Sequence, residues 1–158
     1  MKSKVHFSYF CIGITIAVLT VFAIGLISTY NQGNRFYILL AIFIASLASG
    51  LYYCPTSIEA GGKSVKINRI LSTPKEFLYS DISKIDFCYP SAGGIRVCGS
   101  GGFFGYWGYF QDNIIGYYFG YYGDRSQCIL IRLKSGKRYV VSCTECDKMV
   151  EYLRAKTE

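Results

Sequence analysis

The chain has one histidine in 158 residues, His6, and that scarcity removes a class of chemistry. A cysteine nucleophile needs a neighbouring base, and here seven cysteines share one imidazole placed just before an apolar run. Hydrolysis by a thiol therefore has no partner residue. A phosphate loop is missing too. Gly99-Ser100-Gly101-Gly102 is followed by Phe103-Phe104, with no Gly-Lys-Ser/Thr and no helix opening from it, so a tight turn is expected there. No run of five basic residues occurs, and from Pro55 onward 14 basic residues face 10 acidic ones, a net +4 too modest to imply nucleic acid, so no nucleic-acid partner is expected. Asp81, Asp86, Asp112 and Asp124 have no spacing that pairs an acid with a base, and read as turn residues. No catalytic residue, cofactor site or metal site emerges from the pattern.

Charge is absent from two long stretches. Residues 7–28 and 36–53 contain no Asp, Glu, Lys or Arg, and only the polar connection Asn31 to Arg35 separates them. A bilayer core about 30 Å thick needs roughly 20 apolar helical residues to cross it, and each stretch has that length. Residues 1–54 thus form a transmembrane helical hairpin. The first run is longer than a signal-peptide core and no A-x-A pattern follows it. With no ionisable residue inside either span, an ion pathway has nothing to carry it. Small residues recur at Gly13, Ala17 and Gly25 and at Ala41, Ala45 and Ser49, a pattern that lets the two helices pack closely on each other. Lys2 and Lys4 precede the hairpin, Lys63, Lys66 and Arg69 follow it, and only Arg35 stands in the connection. That bias places both termini and the remaining domain on the cytoplasmic side. Seven cysteines, an odd number in a chain with ample core material, agree with reduced thiols in a reducing compartment.

Residues 55–158 read as β-structure closed by a helix. Cys54-Pro55 ends the second span. Residues 57–60 and 64–71 form a hairpin across Gly61-Gly62, and residues 77–79 and 85–89 are short strands on either side of an Asp81-Ile82 bend. Residues 128–133 and 138–142 make the clearest hairpin, across Lys134-Ser135-Gly136-Lys137. The tail from Thr144 to Lys156 is an amphipathic helix, with Thr144 available as its cap and Met149, Val150 and Leu153 on its apolar face. Between them runs a glycine and aromatic segment. Its rings fall on both faces of residues 116–123, so both faces are expected to be covered.

This segment resembles a family of uncharacterised bacterial membrane proteins with a PH-like domain. The likeness rests on Ile95-Arg96, Gly99 to Gly102, Phe104-Gly105-Tyr106, Gly108, Phe110, Gly116, Tyr121, Asp124, Leu130-Ile131 and Val140-Val141-Ser142, with Asp81-Ile82 before them. It implies a membrane-anchored α+β protein: a two-helix transmembrane hairpin, then a PH-like bent antiparallel β-barrel with a C-terminal helix, in the bacterial inner membrane. It implies no activity. The leading expectation is a non-enzymatic scaffold whose partners, besides the lipid bilayer, are a membrane or cytosolic protein or a second copy of the chain. A lipid-headgroup sensor is the alternative suggested by Lys63, Lys66 and Arg69, with Trp107 as an interfacial anchor. A thiol redox or metal-binding protein is the other, carried by Cys143 and Cys146 in Cys143-Thr144-Glu145-Cys146.

Overall fold

A computed structural model describes residues 1–157. Two apolar helices come first, α1 (Tyr9–Thr29) and α2 (Asn34–Tyr53), joined by the polar connection. Both are long and apolar enough to cross a membrane. Ser8 caps α1, its side chain accepting from the Cys11 N–H at 3.3 Å. The helices pack on each other through Phe22 and Phe43, whose ring centroids are 5.1 Å apart, and through Gly25, where a Cβ would lie 3.0 Å from Leu39 Cδ2. Of the small-residue stripe, Gly25 serves this contact, whereas Gly13 has no neighbour within 4 Å of a would-be Cβ.

The rest is two sheets and one helix. Strands β1 (Lys2–Lys4), β2 (Pro55–Ala60), β3 (Ser64–Arg69) and β4 (Lys75–Leu78) form a four-stranded sheet in that order. Strands β5 (Ile82–Cys88), β6 (Ile95–Gly102), β7 (Gly105–Asp112), β8 (Gly116–Tyr122), β9 (Cys128–Leu133) and β10 (Arg138–Ser142) form a second sheet in the order β5-β9-β10-β8-β7-β6. Helix α3 (Cys146–Thr157) ends the described chain.

The expected closed barrel is not formed. A short 3-10 turn at Tyr79–Asp81 separates β4, which pairs only with β3, from β5, which pairs only with β9, so the sheets stack across a core instead of joining. The pairing is not wholly antiparallel either. β8 and β10 run parallel, because the glycine and aromatic strands are inserted beside the β9–β10 hairpin. Gly99 to Gly102 lies within β6 and is not an isolated turn. Strand β1 was not foreseen: Lys2 to Lys4 pairs with Ser57 to Glu59. Thr144 does not cap α3, which begins at Cys146 with Met149 donating back to the Glu145 carbonyl; the Thr144 hydroxyl donates to Lys4 C=O at 3.0 Å instead.

One core lies between the sheets and α3. It contains Ile58, Val65, Ile67, Ile85, Ile129, Ile131, Val141, Met149 and Leu153, all almost fully buried. Because strand side chains alternate between faces, Leu130, Val140, Tyr118 and Tyr122 point to the opposite side of the six-stranded sheet. There they form a second buried cluster with Tyr106, Phe110 and Cys88. The glycines explain how this outer layer closes without another sheet over it. Gly99, Gly108 and Gly120 stand opposite one another on β6, β7 and β8. Over that flat strip, the Phe110 and Tyr122 rings lie where a Cβ on Gly120 would be only 3.1 and 2.7 Å away. Cross-strand partners then stack: Tyr106 on Tyr122 at 4.9 Å, and Phe110 on Tyr118 at 5.6 Å.

Candidate functional site

Two places stand out, a joint that fixes the sheets to the helices and a groove along the same strands. The joint is built by the β6–β7 hairpin, whose tip, Phe103-Phe104, enters the angle between α1 and α2. Thr15 on α1 holds it: its hydroxyl oxygen accepts from Phe104 N–H at 3.0 Å and donates to the carbonyls of Cys11 at 2.8 Å and Gly102 at 3.3 Å. Phe104 adopts the left-handed backbone, with φ of 53°, which turns its ring toward α2. Both Phe rings sit against the bare backbone of Gly50, where a Cβ would lie 2.6 Å from Phe104 and 3.1 Å from Phe103.

Further contacts brace the joint. Trp107 stacks on Tyr53, the last residue of α2, with centroids 4.8 Å apart, and its indole N–H donates to Phe103 C=O at 3.0 Å. Beside it the β3–β4 loop meets the end of the same helix, Leu71 N–H donating to Leu51 C=O at 3.4 Å and Ile70 N–H to Cys54 C=O at 3.2 Å. Ile70 and Leu71 stay largely exposed there, 48% and 62%.

The groove begins beside the joint, where the Phe119 ring lies 6.2 Å from Tyr53 and 4.8 Å from Tyr109, and runs toward the other end of these strands. It is about 590 Å³ in volume and is lined by Tyr109, Tyr117, Phe119, Tyr139, Lys137 and Arg138. Tyr117 pairs with Gln111, six residues along β7 from Gly105 at the joint, which is about 20 Å at the usual rise of a strand. Tyr109 and Tyr117 stack at 5.3 Å yet remain 44% and 52% exposed, so half of each ring has no partner within the chain. Asp112 secures the nearby turn. Its carboxylate, 1% exposed, accepts from Ser91 N–H at 2.8 Å and from the N–H groups of Ile114 and Ile115 at 2.8 and 3.2 Å. Burial alone would raise its pKa, but those donors outweigh it and hold the acid below its ordinary range.

Residues 56–157, which hold the six-stranded sheet, all of the four-stranded sheet but β1 and the first residue of β2, and helix α3, match the family model described as Bacterial PH domain. The chain belongs to that family. The match covers well over half of the protein, and PH domains serve generally as protein or lipid interaction modules without enzymatic activity. No curated protein and no solved structure matches the chain.

Within the PH domain the three basic residues singled out in the sequence do not converge. Lys63 is exposed in the β2–β3 turn, Lys66 pairs with Glu76 at 3.5 Å, and Arg69 lies over the rings of Tyr52 and Tyr121 at 5.4 and 5.8 Å. Lys63 is also the residue farthest along the hairpin from α2, about 20 Å from Arg69 at the rise of a strand. Trp107 belongs to the joint. Cys143 and Cys146 do come together, with their sulfurs 2.8 Å apart.

Thr15, Gly50 and the groove residues Tyr109, Tyr117, Lys137 and Arg138 were not singled out from the sequence. Of the joint's residues, Trp107 alone was singled out, as an interfacial anchor. Nothing in the spacing of Lys137-Arg138 indicated that this turn would meet the ends of β7 and β8.

Proposed function

We propose that this protein is a membrane-anchored, non-enzymatic interaction module. On this reading α1 and α2 cross the inner membrane of a bacterium, both termini and the PH domain lie in the cytoplasm, and the domain binds a protein segment in its aromatic groove. The observation that carries the reading is the division of the glycine and aromatic strands into two parts. Phe103, Phe104 and Trp107 are used up on the helices, whereas farther along the same strands Tyr109 and Tyr117 are left half exposed beside Lys137 and Arg138.

Membrane placement rests on the helix surfaces. Tyr9, Ile16, Val21, Ile24, Ile27, Tyr37 and Ile38 are each more than half exposed, an apolar area far larger than soluble surfaces carry. Strand β1, before the first helix, pairs with β2, which follows the second, so a two-helix crossing returns the chain to the side it left. The lysines around β1 and β2 support a cytoplasmic placement of that side. Confinement near the bilayer raises the effective concentration of partners in the same plane, so a modest groove suffices. The partner is a protein, a second copy of this chain included.

A photocrosslinking amino acid at Tyr117, compared with one at Lys63 in intact cells, tests this. A discrete adduct from position 117 that is absent from position 63 supports the reading, and its mass separates a second copy from another protein. No adduct at 117, or the same adducts from both positions, contradicts it.

A further inference from the structure

Cys88 and Cys128 face each other as register partners on β5 and β9, but among the described residues Cys143 and Cys146 are the thiols whose sulfurs make a direct contact. Cys143 follows β10 and Cys146 opens α3, and the intervening Thr144-Glu145 turn folds one sulfur over the other at 2.8 Å. Cys146 Sγ also reaches the Cys143 carbonyl at 3.1 Å. A movement of less than an ångström separates this contact from a disulfide bond of about 2.05 Å. Both residues are buried, 0% and 7% exposed, but Cys146 lines a cavity of about 230 Å³ together with Cys128, Thr144 and Asp147.

The two thiols are not equivalent. The contact between the two sulfurs holds the Cys146 thiol below its ordinary value despite burial and raises that of Cys143. The exposed N–H groups of the first turn of α3 favour negative charge in the same place. The neighbouring buried thiols lack this help: burial pushes Cys88 up to about 12 and Cys128 well above its ordinary value. Among the described residues no third His, Cys, Asp or Glu joins the pair as a metal ligand.

We propose that Cys143 and Cys146 are a reversible redox pair, with Cys146 attacking and Cys143 resolving, oxidised by a low-molecular-weight disulfide. The Cys146 thiolate attacks one sulfur of the small disulfide; that S–S bond breaks, and one thiolate leaves and takes a proton from solvent. Cys143 then loses its proton and attacks the Cys146 sulfur, closing the protein disulfide and expelling the second small thiolate, which is protonated in turn. The protein dithiol loses two electrons and two protons, and the small disulfide gains them as two thiols. The residues enclosed by the new bond hold the amino terminus. Thr144 N–H donates to Lys4 C=O at 2.9 Å, and Glu145 N–H to Ser3 Oγ at 3.2 Å. Oxidation therefore stiffens the seat of β1, the strand that leads into α1.

The test equilibrates the full-length protein in membranes with graded mixtures of reduced and oxidised glutathione, quenches with acid, alkylates under denaturing conditions and maps the peptides. The expected result is joint loss of the Cys143 and Cys146 thiols as one linked peptide, while Cys88 and Cys128 are alkylated as thiols. Cys143→Ser should accumulate a glutathione adduct at Cys146, and Cys146→Ser should form neither link nor adduct at residue 143. A link to Cys88 or Cys128, or oxidation confined to the exposed Cys98, overturns the proposal. Because the wild-type map decides the link by itself, misfolding of either variant does not protect the idea.

Discussion

The Thr15 hydroxyl accepts a hydrogen bond from the Phe104 backbone N–H at 3.0 Å, tying the first helix to a hairpin tip 89 residues later. Removing that acceptor leaves an N–H without a partner among apolar side chains, which costs about 1–3 kcal/mol. Thr15→Val keeps the shape and deletes the hydroxyl, so it should lower the thermal stability of the detergent-purified protein by that order. Thr15→Ser should restore most of it. Equal stability of the valine variant and the wild type in a thermal melt would mean that the contact does not hold the joint.

Gly50 makes the opposite side of the same clamp. A leucine there must displace the Phe103 and Phe104 rings, since even a Cβ would stand 2.6 Å from Phe104. The expected outcome for Gly50→Leu is a hairpin tip released from the helices and cut faster by protease within residues 103–106. Gly13→Ala is the control. With nothing within 4 Å, it gains up to ~1 kcal/mol of helix propensity and leaves the cleavage rate unchanged.

Asp112 gives the molecule an acid-sensitive point. Its folded pKa is lowered, so its contribution is fully present above the unfolded carboxylate value of about 3.9 and is lost as the pH falls through the lower folded value. Asp112→Asn replaces one acceptor with a donor facing Ser91 N–H, costing about 1–3 kcal/mol at neutral pH. Melting curves at a series of pH values below 5 should therefore show the gap between variant and wild type narrowing with acid. A gap that stays constant would assign the loss to packing alone.

How much of this was legible beforehand follows from the range of each signal. The helices declared themselves because absence of charge over twenty residues is a local property, and the β9–β10 hairpin because alternation and its turn lie within fifteen residues. Strand β1 was hidden: three residues, Lys2 to Lys4, carry no pattern of their own and become a strand only because β2 offers an edge. The same holds for the parallel β8–β10 pairing, which joins Phe119 to Tyr139 across the whole β9 hairpin. The aromatic segment is covered on one face by the Tyr106, Phe110, Tyr118 and Tyr122 cluster but leaves Tyr117 half exposed on the other, and the covering depends on glycines meeting glycines across three strands, Gly99 with Gly108 and Gly108 with Gly120. Such register has no trace in composition. The basic residues Lys63, Lys66 and Arg69 looked like a cluster in sequence, but a hairpin six residues long spreads them along its length.

Trp107, the only tryptophan, offers the most direct measurement of the central claim, that the aromatic hairpin is seated on the membrane end of the two-helix anchor. Its fluorescence in reconstituted vesicles can be quenched either by lipids brominated at shallow acyl positions or by iodide in the water. The account predicts strong quenching by the shallow brominated lipids and weak quenching by iodide, with the order reversed in Gly50→Leu. Wild-type emission that iodide quenches freely and brominated lipids leave untouched would contradict it.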